Sequence, residues 1–101
     1  MNLTVSEIKK LLNKWHFYKA ITLSSAEYLL KQKLESIERA VNHLDDISKA
    51  IIEMRCFKRM EMDVVAKHVY MTRQGVYKRL NKSYSEMVYF IRNTTKSCEN
   101  Y

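Results

Sequence analysis

Between Val64 and Lys82 the chain reads VVAKHVYMTRQGVYKRLNK, and the polar side chains of that run fall at regular intervals. Arg73, Gln74, Tyr77 and Lys78, with Asn81, recur at the three- and four-residue steps that gather side chains on one side of a helix. Arginine and lysine can reach guanine edges, and an amide can pair with an adenine edge, so this set suits reading bases in a major groove. Thr72, Arg79 and Lys82, with Lys58, Arg59 and Lys67 upstream, are donors suited to phosphate oxygens. The chemistry on offer is recognition of a charged, edge-patterned polymer.

Two helices and a turn must position these groups. Val64, Val65, Ala66 and Val69 belong to the first helix; Val65 and Val69 are four apart and share a face. Ala66 beside them is small enough for a second helix to cross closely. The turn runs through Tyr70 and Met71 to Thr72, whose hydroxyl can accept an orphan backbone N–H and cap the second helix. Val76 and Leu80 are the buried pair of that helix, which leaves Arg73, Gln74, Tyr77, Lys78 and Asn81 on the open side. The pattern is a helix-turn-helix. Gly75, the one glycine of the chain, falls in the first turn of the second helix, where Gly costs about 0.5–1 kcal/mol against Ala. It either allows close approach of a DNA backbone or a neighbouring helix, or it is a tolerated surface residue.

Charge is segregated along the chain. Residues 55–82 hold eight Lys or Arg (55, 58, 59, 67, 73, 78, 79, 82) against Glu61 and Asp63, a net of +6. Residues 1–54 hold eight basic and seven acidic residues, and residues 83–101 balance. Nearly all of the formal +7 therefore lies on and just before the helix pair, as expected for a nucleic-acid contact. The basic residues do not form one long face opposite a Trp/Leu face, which argues against a membrane-surface helix.

With 101 residues, no Pro, one Gly and abundant Leu, Ile, Lys and Glu, the chain predicts a single all-α unit with a modest core. The expected organisation is a helical front segment over 1–44, the helix-turn-helix region over 45–93 with a long C-terminal helix, and a polar tail over 94–101. Thr4-x-x-Glu7 is a capping box that opens a helix over about 5–19, with Ile8, Leu11, Leu12 and Trp15 at helical spacing. Trp15, Phe17 and Tyr18 are expected to plug it onto the core. Ser24-x-x-Glu27 opens a second helix to about 43. Its stripe Leu30, Leu34, Ile37, Val41 and Leu44 predicts a homodimer held through residues 25–57, with burial inside one chain as the competing expectation. Asp45 or Asp46 caps the next run, Ile47, Ala50, Ile51, Met54 and Phe57, and residues 58–61 connect to the helix pair. The last helix continues through Leu80, Tyr84, Met87, Val88 and Ile91 to about Asn93.

Other chemistry finds little support. His16, His43 and His68 lack zinc spacing, so no metal or cofactor is expected. Cys56 and Cys98 lack CxxC spacing and predict reduced thiols in a cytoplasm; basic neighbours leave open whether Cys56 is reactive. No signal peptide or membrane-length apolar run is evident. No phosphate-cradling loop or nucleophile–base motif points to an enzyme.

At these residues the chain resembles sigma factor region 4. That family's pattern is an apolar pair before Ala, an apolar residue three on, a Ser or Thr cap, an Arg, and a Val-x-x-Arg-Leu run. Here these are Val64-Val65-Ala66, Val69, Thr72, Arg73 and Val76 to Leu80. The stretch Ala50 to Phe57 looks like the helix preceding that motif. With its short length and helical front, the chain looks most like phage late-operon regulators of the ArpU/RinA type, over about residues 45–92. Tyr70 departs from the pattern, because the family usually has Gly or Asn there; Tyr requires a less favourable backbone conformation or a different turn. The resemblance implies a sequence-specific regulator of transcription on double-stranded DNA, from a phage or mobile element in a bacterial host cytoplasm, with RNA polymerase as a further partner. Two other readings stay open: the DNA-recognition subunit of a phage packaging terminase, and a helical protein-interaction module.

Overall fold

Thr4 accepts the backbone N–H of Glu7 at 3.2 Å and starts helix α1, Val5–Asn13, which buries Ile8, Leu11 and Leu12. The structure, a computed structural model, describes residues 3–24 and 28–99, and the side chains of 3–22 and 28–93. The expected cap pair Ser24 and Glu27 lies outside the described side chains, as does Cys98.

The single helix expected over 5–19 is two. Lys14 leaves the helical region at φ −120°, ψ 36°, with its N–H turned to Leu12 O, and α2 follows at once over Trp15–Ser24. No Pro or Gly marks the break. Its effect is tertiary: Trp15 enters the core, 7 % exposed and 5.0 Å from the Phe57 ring. The expected aromatic plug is accordingly smaller. Tyr18 packs against the core, but Phe17 stays 59 % exposed.

Helix α3, Tyr28–His43, buries Leu34, Ile37, Ala40 and Val41, with Leu30 and Leu44 packed at the core's edge. The stripe that suggested a homodimer through residues 25–57 is therefore used within one chain. It packs against α2 and the last helix.

Asp45 accepts the Ser48 N–H at 2.7 Å and caps α4, Asp46–Ile52. A π-helical turn follows over Glu53–Phe57, closed by the Lys58 N–H on Glu53 O at 2.9 Å. The periodic run expected here holds in part. Ser48, Ile51, Ile52 and Cys56 are buried, while Ile47 is 46 % exposed and Met54 and Phe57 lie at the edge. A widened turn adds a residue per revolution, so strict 3.6-residue periodicity stops describing the sequence beyond it.

Helix α5, Met62–His68, and α6, Arg73–Glu99, complete the chain. α6 runs past Asn93 because nothing in the sequence breaks it. It packs against α1, α3, α4 and α5, so one core spans the front segment and the helix pair. Val65, Val76 and Met87 are fully buried, each contributing roughly 1.5–3 kcal/mol of transfer free energy. Among the described residues no buried side-chain polar atom lacks a hydrogen-bond partner, no helix is long and apolar enough to cross a membrane, and no His, Cys, Asp or Glu cluster could hold a metal ion.

Candidate nucleic-acid interface

The turn between α5 and α6 is built on a left-handed tyrosine. Tyr70 has φ 56° and is 96 % exposed. Its N–H turns to Lys67 O, and the Met71 N–H reaches Ala66 O at 3.0 Å. This paired bonding closes a helix C-terminus around one αL residue, a place usually held by Gly. The less favourable conformation that Tyr demands is therefore the one adopted, at about 1–2 kcal/mol of local strain. Arg59, at the exit of the π-helical turn, has φ 55°, so left-handed non-glycine residues precede and follow α5.

Thr72 then starts α6 as its sequence position predicts. Its hydroxyl accepts the Gly75 N–H at 3.0 Å, and its carbonyl accepts the Val76 N–H. A Cβ on residue 75 would lie 3.2 Å from Thr72 Oγ1 and 3.3 Å from Met71 Cε. Gly75 thus leaves room for its own turn and cap, and not for a neighbouring helix.

Val76 and Leu80 face inward, 0 % and 5 % exposed, with Val65 and Ala66 of α5 in the same core. Arg73, Gln74, Tyr77, Lys78 and Asn81 are all exposed. They occupy the open side of the first three turns of α6, with Tyr77 presenting an aromatic surface 46 % exposed.

Six cations of the expected base- and phosphate-contacting sets fall into two groups, while Arg59 of the phosphate set lies at the exit of the π-helical turn. Lys58, Lys67 and Lys78 are exposed and pair with no carboxylate among the described residues. Arg73, Arg79 and Lys82 have acidic neighbours: Asp63 at 3.6 Å, Asp45 at 3.3 Å and Glu86 at 4.0 Å. Arg79 is the most committed of these. It points along the side of α6 toward the α4 cap, away from the Gln74–Lys78 side. Asp45 there is held below the usual carboxylate range, chiefly by the Ser48 N–H and also by Arg79.

Cys56 is not placed for reaction. It is 6 % exposed, burial pushes its thiol up, and it is hydrogen-bonded to Tyr84, whose phenol burial also raises. Its basic neighbour Arg55 donates to Met60 O at 3.2 Å, closing the loop ahead of α5.

Two features escaped sequence reasoning. Lys9, Lys10 and Lys14 of the front segment gather on one edge with Arg59, although residues 1–54 are nearly neutral. An apolar hollow also lies between α3 and the second half of α6, where His43 stacks on Phe90 at 4.4 Å beside exposed Tyr89. Exposed aromatics so close to Arg92 and Lys82 read as helix-surface residues until the neighbouring helix is in place. Comparison with protein-family models, with curated proteins and with solved structures finds no significant match to this chain.

Proposed function

We propose that the protein is a sequence-specific double-stranded DNA-binding transcriptional regulator that acts by binding and not by catalysis. One observation supports this above the others. A capped helix held from behind by Val65, Ala66, Val76 and Leu80 exposes Arg73, Gln74, Tyr77, Lys78 and Asn81 together. Groups of these types on the first turns of an open helix are what major-groove reading requires. Lys58, Lys67 and Thr72 flank them as phosphate donors, joined by Arg59 and Lys82, with Arg79 partly engaged by Asp45. The resemblance to sigma factor region 4 adds contact with RNA polymerase in the cytoplasm of a bacterial host, and a phage or mobile-element origin. Selection of bound fragments from a random duplex pool tests the proposal: enrichment of one motif is expected, and an unenriched pool contradicts it.

The apolar hollow beside Phe90 and Tyr89 favours one second reading, a helical protein-interaction module. Partner binding that is indifferent to salt, without any DNA binding, would favour that module over the regulator.

A further inference from the structure

The break at Lys14 brings two shallow hollows together on one edge of the molecule. One is lined by Ser6, Lys9, Lys10, Asn13, Lys14 and Tyr18; the other by Lys14, His16, Phe17 and Arg59. Lys14 is the ridge between them, and neither hollow is lined by a carboxylate. The front segment has acids enough to neutralise this edge, but the fold directs them elsewhere. Glu7 faces Lys33, Glu38 faces Lys19 and Asp45 faces Arg79. Among the described residues Lys9, Lys10 and Lys14 pair with no carboxylate at all.

The edge is also held in place. Arg59, fixed by its left-handed backbone, donates to Asn13 O at 3.3 Å, and His16 Nε2 lies 2.6 Å from Phe57 O. These contacts lock the exit of the π-helical turn against the α1–α2 joint. Part of the positive charge complements the carbonyl end of α1. That role occupies one guanidinium N–H and leaves the three ammonium groups without a carboxylate partner among the described residues. Lys9 Nζ lies 5.4 Å from the centre of the Tyr84 ring, so the edge adjoins the flank of α6. Tyr84 is two turns beyond Tyr77, about 10 Å along the helix axis, or roughly the rise of three base pairs.

We infer that the edge formed by Lys9, Lys10, Lys14 and Arg59 is a second phosphate-binding surface, which grips the backbone of the duplex beside the segment read by α6. This rests on the DNA-binding proposal above and extends its footprint to the front segment. Surface ammonium groups with no carboxylate partners release counterions when they meet phosphates, so the contact is sequence-independent and salt-sensitive.

The test compares the full chain with Lys10→Gln/Lys14→Gln, and with Lys31→Gln/Arg39→Gln as a control of equal charge change on α3. Each is titrated with two duplexes, one trimmed to the selected site and one extended by about one helical turn on each side. Thermal melting by circular dichroism checks that all three remain folded. The expected result is that Lys10→Gln/Lys14→Gln lowers the log K against log salt slope on the extended duplex by about 2, leaves sequence preference intact and changes little on the trimmed duplex. The control should change the slope by less. Wild-type slope and affinity in Lys10→Gln/Lys14→Gln on the extended duplex overturn the second surface alone. Equal losses in the variant and the control also overturn it, because net charge would then account for the effect. Failure of the wild-type chain to bind either duplex overturns the DNA-binding proposal itself.

Discussion

Residues 3–54 and residues 55–82 each contain eight Lys or Arg, and the fold uses the two sets differently. In the front segment Lys19 and Lys33 lie against Glu38 and Glu7, while Lys9, Lys10 and Lys14 collect on the α1 edge. In the helix-turn-helix region Arg73, Arg79 and Lys82 have carboxylate neighbours, while Lys58, Lys67 and Lys78 have none. One region is nearly neutral along the chain, yet it presents a positive edge. The other is strongly basic along the chain, yet three of its cations face acids. Net charge over a segment thus says how much charge must be somewhere, and folding decides where it is exposed.

The sharpest way to break the comparison is to remove a base-reading side chain. Gln74→Ala and Lys78→Ala should each cost about 1–3 kcal/mol on the preferred site, with a changed preference at one base position in selected sequences. An unchanged preference in both would place base reading elsewhere. Lys82→Ala should act differently, weakening all duplexes alike and reducing the salt slope by about 1. A sequence-dependent loss, measured by parallel titration of two sites, would move Lys82 into the base-reading set.

Asp45 links the two regions, since it caps α4 and faces Arg79 of α6. Asp45→Ala should destabilise the fold by about 1 kcal/mol through the lost cap, read as a shifted denaturation midpoint. The pH dependence has a definite sign. The folded carboxyl titrates below its ordinary value of 3.8, so its contribution is present in full above the unfolded pKa. It is lost as pH falls through the lower folded value. Wild type and Asp45→Ala should therefore differ most near neutral pH and converge in acid. A gap that widens in acid would contradict the cap assignment.

The smallest expected effect is at the turn. Tyr70 is 96 % exposed and its ring covers nothing, so Tyr70→Gly should relieve αL strain and raise stability by about 0.5–1 kcal/mol net of glycine's extra chain entropy. A loss of stability on thermal melting would mean that the tyrosine ring contributes packing after all.

The helix pair was readable from the sequence because its signals are local. Val65, Ala66 and Val76, the Thr72 cap and the outward set from Arg73 to Asn81 follow from spacing alone, whereas the conformational cost of Tyr70 shows only against the resemblance to sigma factor region 4. The all-helical class likewise followed from composition. What stayed hidden is set by distant packing. Lys14 breaks a helix that has no local breaker, with Trp15 turning onto Phe57. The π-helical turn buries Cys56 and leaves Met54 and Phe57 at the core's edge. The α1 edge requires knowing that Glu7 turns to Lys33 and Glu38 to Lys19. The stripe on α3 was correctly read as apolar, but what covers it, α2 and α6, depends on the course of the whole chain.

The central claim is that the exposed cations around α6 bind duplex DNA, and a salt titration of the wild-type chain tests it most directly. With about five phosphates contacted, log K should fall against log salt with a slope of roughly −4 to −5; a flat response, or no binding at low salt, would contradict it.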